Sequence, residues 1–122
     1  MNYFLVFMGG GLGSVTRFMV SKFFPSPSDS FPLATFFSNT ISSLILGLLL
    51  GYFAQKNVSN DNIRLLIATG FCGGFSTFST FSYETFVLFS SGNYKTGLVS
   101  IFANLLLCYG AIVAGFFISK SL

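Results

Sequence analysis

Residues 70–84 read GFCGGFSTFSTFSYE and fall in the middle of a long apolar run. Paired glycines followed by a series of serines and threonines are poor at sustaining a helix. A helix that breaks inside a membrane frees backbone carbonyls and amides, which are tolerated only where protein or a cavity satisfies them. Free carbonyls at mid-membrane are good ligands for a small hard cation. The stretch therefore predicts a broken membrane helix. The alternative is that its small residues only let helices pack closely.

The rest of the chain has the composition of a membrane protein. Of its 122 residues, 52% are hydrophobic and 7% are charged, and the mean hydropathy is +0.78. A soluble domain usually carries about 25% charged residues. A membrane helix needs about 20 mostly apolar residues, and four segments qualify: residues 3–24, 33–54, 63–90 and 94–118. We expect a single all-α integral membrane domain, residues 1–122, with four transmembrane helices of which the third is broken.

Several classes of function are excluded by what the chain lacks. It has no His, so Ser-His or Cys-His catalysis is impossible, and its two Cys cannot supply the four ligands of a structural zinc site. Six scattered Lys and Arg are too sparse for nucleic-acid binding. The first eight residues lack a basic region, and the apolar run continues past signal-peptide length, so we expect an uncleaved first helix. We expect no enzyme activity.

Three phenylalanines repeat every third residue within the opening stretch. Phe75, Phe78 and Phe81 would lie near one another on a helix face, with Ser79 and Thr80 among the hydroxyls between them. An aromatic ring has a negative face and a positive edge. Ring edges and hydroxyls could therefore meet a small anion without a full positive charge that would trap it, which is what conduction requires. The simpler interpretation is that these rings contact lipid.

Polar side chains inside the predicted spans are the second sign of a conduction path. Asn39 in the second span offers two amide donors that could replace water around an anion, and Asn104 in the fourth poses the same choice. Both could instead join helices by hydrogen bonds. Arg17 lies deep in the first span, where it could draw anions into a vestibule or snorkel to the interface. Glu84 could pair with Arg17 or cap local backbone.

Basic residues are almost evenly divided between the two sides of the membrane. An excess of Lys and Arg on the cytoplasmic side normally sets orientation. With four spans, one side of the membrane holds three basic residues: Lys56, Arg64 and Lys120. The other side holds two, Lys22 and Lys95, or three if Arg17 is counted with them. A chain without bias can insert in both orientations, so two copies could form an antiparallel dimer. A single orientation is the alternative.

Taken together, these motifs resemble the Fluc (CrcB) family of fluoride channels. The matching pieces are residues 9–17 (GGGLGSVTR), Asn39, and residues 70–81 with Glu84, and the resemblance covers essentially the whole chain. It implies an antiparallel, dual-topology dimer with two pores. It implies that Phe78 and Phe81 offer ring edges to fluoride, that Asn39 lies along the pore and that Arg17 lies near an aqueous vestibule.

The resemblance also implies a sodium ion at the dimer interface, held by the backbone carbonyls of Gly73 and Ser76. Ser76 stands where the family usually has Thr, a change that a carbonyl ligand survives. Ser42 and Ser43 occupy a region where a Gly is common, and the fourth helix, with Asn104 and Cys108, matches only loosely.

The function that the resemblance implies is passive export of fluoride across the plasma or inner membrane by a multi-pass channel. A small multidrug exporter shares the size and four spans, but it would need an intramembrane carboxylate, and the first, second and fourth spans have none. A structural membrane subunit would also fit the composition, and a heterodimer of two homologous chains could replace the homodimer.

Overall fold

The computed structural model describes residues 1–27, 29–57 and 60–122. Its elements are α1 (Asn2–Phe23), α2 (Leu33–Lys56), α3 (residues 61–75), α4 (Phe78–Ser90) and α5 (Tyr94–Ser121). Within those residues there is no strand, and four helical segments are long and apolar enough to cross a membrane, with α3 and α4 together forming the third. The all-α, four-span prediction is confirmed.

Local sequence explains where these helices begin and end. Pro25 follows α1, and a proline cannot continue a helix. Asn57 closes α2 in the left-handed conformation, with φ 52°. The Asn60 side chain caps α3 by accepting a 3.1 Å hydrogen bond from the Ile63 amide. Gly92, with φ 83°, makes the turn between α4 and α5.

The helices pack in two pairs through glycine. α1 lies against α3, and α2 lies against α5 along their lengths. A Cβ at Gly13 would collide with the Phe71 carbonyl oxygen, and a Cβ at Gly47 would collide with the Ile112 carbonyl oxygen. Backbone therefore meets backbone in both pairs, as small residues allow in membrane helices. Close packing and a broken helix, which the sequence left as competing interpretations, both occur.

The third span is irregular at the place that the glycine and serine run predicts. Within α3, Arg64–Cys72 forms a π-helix, a wide form that is rare at this length. Helix Gly73–Phe75 follows, and then Ser76 and Thr77 adopt extended backbone, with ψ 157° and φ −152° respectively. The Thr77 hydroxyl accepts a 3.2 Å hydrogen bond from the Thr80 amide and caps α4. The predicted break of the third helix is confirmed.

Large apolar side chains cover the outside of the chain rather than a core. Only five hydrophobic side chains are buried in the described residues, whereas Tyr3, Phe7, Phe86 and Leu106 are each more than 60% exposed. A water-soluble monomer rarely exposes so large an apolar surface. The outward faces therefore suit lipid or another protein chain.

Candidate functional site

Asn39 bridges the break in the third span. Its Oδ1 accepts a 2.8 Å hydrogen bond from the Thr77 amide, and its Nδ2 donates to the Thr77 carbonyl oxygen at 3.3 Å. Thr77 lies between the two helices, and no backbone group of the described residues bonds to its N–H or its C=O. The side-chain amide replaces the missing helical partners, which is how irregular backbone is tolerated in a membrane. The structure thus places Asn39 at the break, with its amide engaged by protein.

Asn104 extends this contact to α5. Its Oδ1 accepts the second Nδ2 proton of Asn39 at 3.2 Å, and its own Nδ2 donates to the Ser100 carbonyl at 2.9 Å. Asn104 is 5% exposed. Of the two roles that the sequence left open for Asn104, this geometry matches that of an interhelical hydrogen bond.

A cavity of about 250 Å³ opens beside the break. Its lining combines polar side chains from α2, the break and α5 with the rings of Phe78 and Phe81. The complete lining is Asn39, Ser43, Ser76, Thr77, Phe78, Phe81, Asn104, Leu105 and Cys108. None of these residues is charged, so a small anion would meet partial charges only.

The break separates Phe75 from the other two phenylalanines of the repeat, Phe78 and Phe81. The ring centroids of Phe78 and Phe81 are 5.7 Å apart, at an interplanar angle of 48°. Phe75 instead packs edge-on against Phe71 at 5.6 Å and lies outside the cavity. Phe81 is 8% exposed but Phe78 is 74% exposed, so nothing in the described chain covers the outer side of the Phe78 ring.

A second, more polar cavity lies on the α1 side of the break. It has a volume of about 290 Å³ and is lined by Ser14, Arg17, Phe18, Ser21, Ala34, Thr35, Ser38, Thr77, Thr80 and Glu84. Thr77 is the one residue that lines both cavities. Thr80 therefore faces the second cavity rather than the first, whereas Ser79 is exposed and lines neither.

Arg17 and Glu84 are the charged residues of the second cavity. The Arg17 Nε donates to the Gly74 carbonyl at 3.0 Å, which ties α1 to the end of α3. Arg17 and Glu84 share this cavity. Two buried oxygens there, Glu84 Oε1 and Ser38 Oγ, have no hydrogen-bond partner among the described residues. Buried polar atoms without protein partners are normally satisfied by water or an ion, so this cavity suits a hydrated vestibule.

Backbone carbonyls at the end of α3 differ in how they are satisfied. The Cys72 carbonyl accepts hydrogen bonds from the hydroxyls of Ser42, at 2.9 Å, and Ser76, at 2.8 Å. In the described part of the chain, by contrast, no donor reaches the carbonyls of Gly73 and Ser76. Oxygen atoms without donors at a helix end can ligate a small cation. The described residues hold no cluster of His, Cys, Asp or Glu that could bind a metal through side chains.

Two features of this site were not foreseen from the sequence. Thr77 joins the cavities and caps α4, yet it is one of several similar hydroxyl residues in a row. The one sequence signal for its cap is that Thr77 stands immediately before Phe78, where α4 begins, and Thr is a preferred N-cap residue. The contact between Asn39 and Asn104 joins residues 65 positions apart, and no local pattern predicts which two helices adjoin.

The chain is similar to known proteins over nearly its whole length. The model of the family described as CrcB-like protein, Camphor Resistance (CrcB), matches residues 4–116. The fluoride-specific ion channel FluC of Pyrococcus furiosus is 46% identical over 117 residues, which cover 95% of this chain and 94% of that protein. That of Azobacteroides pseudotrichonymphae is 41% identical over 118 residues, covering 96% and 94%. That of Campylobacter jejuni is 42% identical over 120 residues, covering 95% of each.

Proposed function

The chain belongs to the CrcB-like family, and from this membership we propose that it is a passive, fluoride-selective channel of the plasma membrane. Relatives at 41–46% identity bear the name of a fluoride-specific ion channel. They are channels and not enzymes, which agrees with a chain that has no His. A small multidrug exporter is not favoured.

The observation that carries this proposal is the cavity without charged residues that Asn39 and the two phenylalanine rings line. Fluoride is small and strongly hydrated, so a path must replace its water with hydrogen-bond donors and ring edges. Phe78 and Phe81 both line this cavity, and ring edges turned toward it would attract fluoride because the edge of an aromatic ring is positive. A fixed Lys or Arg in this cavity would hold the ion too strongly for rapid exit.

We propose that fluoride passes between the vestibule and the cavity beside Thr77. Arg17 would attract anions into the vestibule through the guanidinium N–H groups that the Gly74 carbonyl does not occupy, while the Glu84 carboxyl of the same cavity would oppose it. Thr77 and Thr80 then offer hydroxyls on the vestibule side of the break. Ser79, which is exposed in the single chain, would join the path only where another surface faces it.

An antiparallel dimer is the second part of the proposal. The exposed outer side of Phe78 supports it, because a pore needs a wall where the single chain has none. The almost even distribution of Lys and Arg supports insertion in both orientations. Two copies related by a twofold axis would present the same Phe78 surface to each other, and would form two equivalent paths. A heterodimer with a homologous chain would meet the same need.

A structural sodium ion is the third part of the proposal. The carbonyls of Gly73 and Ser76, which receive no hydrogen bond from described residues, fit a hard cation that prefers oxygen ligands. In an antiparallel dimer, each copy would contribute the same pair of carbonyls. When bound, sodium would supply buried positive charge near the anion paths.

Passive conduction is sufficient for export. A membrane potential contributes about 2.3 kcal/mol per elementary charge per 100 mV. Since 1.4 kcal/mol is a factor of ten, a cell that is negative inside by 100 mV can hold fluoride at about one-fiftieth of the outside concentration. No nucleotide or coupled ion is needed.

The decisive experiment measures fluoride efflux from liposomes that contain the purified protein, with a fluoride electrode and a potassium ionophore to dissipate the voltage. We expect rapid efflux of fluoride and not of chloride, with strong loss in Phe78→Ile. Phe86→Ile is the matched control, because Phe86 is on the same helix and is also exposed, at 67%, but lines neither cavity.

Equal efflux of chloride would refute selectivity, and full activity in Phe78→Ile would remove the rings from the path. Absence of efflux from a folded dimer would indicate a structural subunit or a missing partner chain. Co-expression with a homologous chain separates these two results.

A further inference from the structure

Asn104 connects the fourth span to the break in the third through Asn39. We propose that Asn104 is a positioning residue, which fixes the orientation of the Asn39 amide and thereby holds the extended backbone at Thr77. The proposal rests on the proposed fluoride channel for its meaning in transport. The contact itself is a property of the fold and can be measured separately.

The first argument is the number of protons on the Asn39 amide. Its Nδ2 carries two, and the structure gives both to protein acceptors: the Thr77 carbonyl at 3.3 Å and Asn104 Oδ1 at 3.2 Å. Both donors are thus engaged in this structure, and the Asn39 amide is held against Thr77 at the edge of the cavity.

The second argument is that the two amides fix each other's direction. Asn104 Nδ2 donates to the Ser100 carbonyl at 2.9 Å. If this amide were reversed, its oxygen would face the Ser100 carbonyl oxygen, and its NH2 would face the NH2 of Asn39. Only one orientation therefore satisfies all four groups. The resulting chain runs from the Thr77 amide to Asn39, to Asn104 and to Ser100, and hydrogen bonds in such a chain strengthen one another.

The third argument is location. Asn39, Thr77 and Asn104 all line the 250 Å³ cavity, next to the rings of Phe78 and Phe81. If Asn104 lost its oxygen, one Asn39 proton would point into the cavity without an acceptor. The amide would then rotate away from Thr77, or its free proton would retain an anion. Both effects slow conduction.

The test replaces Asn104 with leucine, which has similar size and no acceptor, and with serine, which is too short to reach Asn39. We expect fluoride efflux to fall by about fivefold in both, the factor that one ordinary hydrogen bond contributes. Asn62→Leu is the matched control, because it makes the same chemical change at an exposed position at the start of α3.

A second readout is hydrogen exchange of asparagine side chains, measured by NMR of detergent-solubilised protein with ¹⁵N-labelled Asn. The chain has only seven asparagines, and the Asn39 signals are assigned by their loss in Asn39→Asp. We expect the Asn39 side-chain protons to exchange more slowly than those of Asn62. In Asn104→Leu and Asn104→Ser, exchange of one Asn39 proton should become about fivefold faster.

The proposal is supported if exchange at Asn39 and fluoride efflux change together in the Asn104 variants and not in Asn62→Leu. It is overturned if Asn39 exchange is unchanged, or if exchange becomes faster while efflux stays at the wild-type level. Asn104→Ser decides alone if the leucine variant does not fold. A wild-type protein without fluoride efflux would refute the proposed function, whereas Asn39 exchange would still report whether Asn104 holds the amide.

Discussion

Replacement of Gly13 by alanine tests whether the contact between α1 and α3 positions the site. A Cβ at Gly13 would collide with the Phe71 carbonyl oxygen and would lie 2.8 Å from the Phe75 amide nitrogen. Both neighbours are backbone atoms of α3. The whole of α1 would therefore have to move away from α3, by roughly 1 Å. Overpacking of this kind typically costs about 1–3 kcal/mol.

The displacement should also reach the vestibule. Arg17 lies one turn after Gly13 on the same face of α1, and its Nε is 3.0 Å from the Gly74 carbonyl. A 1 Å retreat would exceed the normal limit of about 3.2 Å for this hydrogen bond. A hydrogen bond from a charged group contributes about 1.5–3 kcal/mol, and 1.4 kcal/mol is a factor of ten. We therefore expect fluoride efflux to fall by about tenfold.

Gly11→Ala is the matched control on the same helix, because a Cβ there meets no atom within 4 Å. Alanine favours a helix over glycine by up to about 1 kcal/mol, so this variant should be as stable as the wild type or more stable. Thermal midpoints of the two variants are measured in detergent, with size-exclusion chromatography to monitor unfolding. Their fluoride efflux is then compared in liposomes. The reasoning is refuted if Gly13→Ala and Gly11→Ala have the same midpoint and the same efflux.

Substitutions at three further positions give expected outcomes at single contacts. Arg17→Lys keeps the charge but loses the planar donor, so we expect a severalfold lower rate in the liposome assay; wild-type efflux would show that charge alone suffices. Thr77→Val removes the cap of α4 and should destabilise the protein by about 1 kcal/mol, whereas Thr77→Ser should keep the cap; equal thermal midpoints for the two variants would contradict this. Ser42→Ala should cost less than about 1 kcal/mol, since the Cys72 carbonyl keeps a second hydroxyl donor; a much larger drop in thermal midpoint would mean that Ser42 has another role.

The sequence predicts the spans well because hydropathy over 20 residues is a local property. The structure begins α2 at Leu33 and α5 at Tyr94, as expected, and extends both beyond the predicted ends. The break was predictable because Gly, Ser and Thr weaken a helix wherever they cluster. Which residues lie opposite the break was not predictable, since the pairing of Asn39 with Thr77 depends on how α2 lies against the third span.

The phenylalanine repeat shows why a correct local rule can mislead. A spacing of three places side chains on one face only while the helix continues. Between Phe75 and Phe78 the backbone is extended at Ser76 and Thr77. Phe75 therefore turns toward Phe71, and only Phe78 and Phe81 share a cavity. Ser76 and Thr77, whose extended backbone forms the break, therefore also determine which phenylalanine rings line the cavity.

A single break can serve ions of both signs because it creates two opposite helix ends. A helix carries about half a positive charge at its N-terminus and half a negative charge at its C-terminus. At residues 76–77 the C-terminus of α3, with the carbonyls of Gly73 and Ser76, adjoins the N-terminus of the 13-residue helix α4. In the proposed channel the first end would suit the sodium ion, and the second end begins at Phe78, which lines the cavity with Phe81. An anion there meets a partial charge that attracts it and is too weak to hold it. In the proposed channel, this division of charge within one span would let the inner cavity attract an anion although no charged residue lines it.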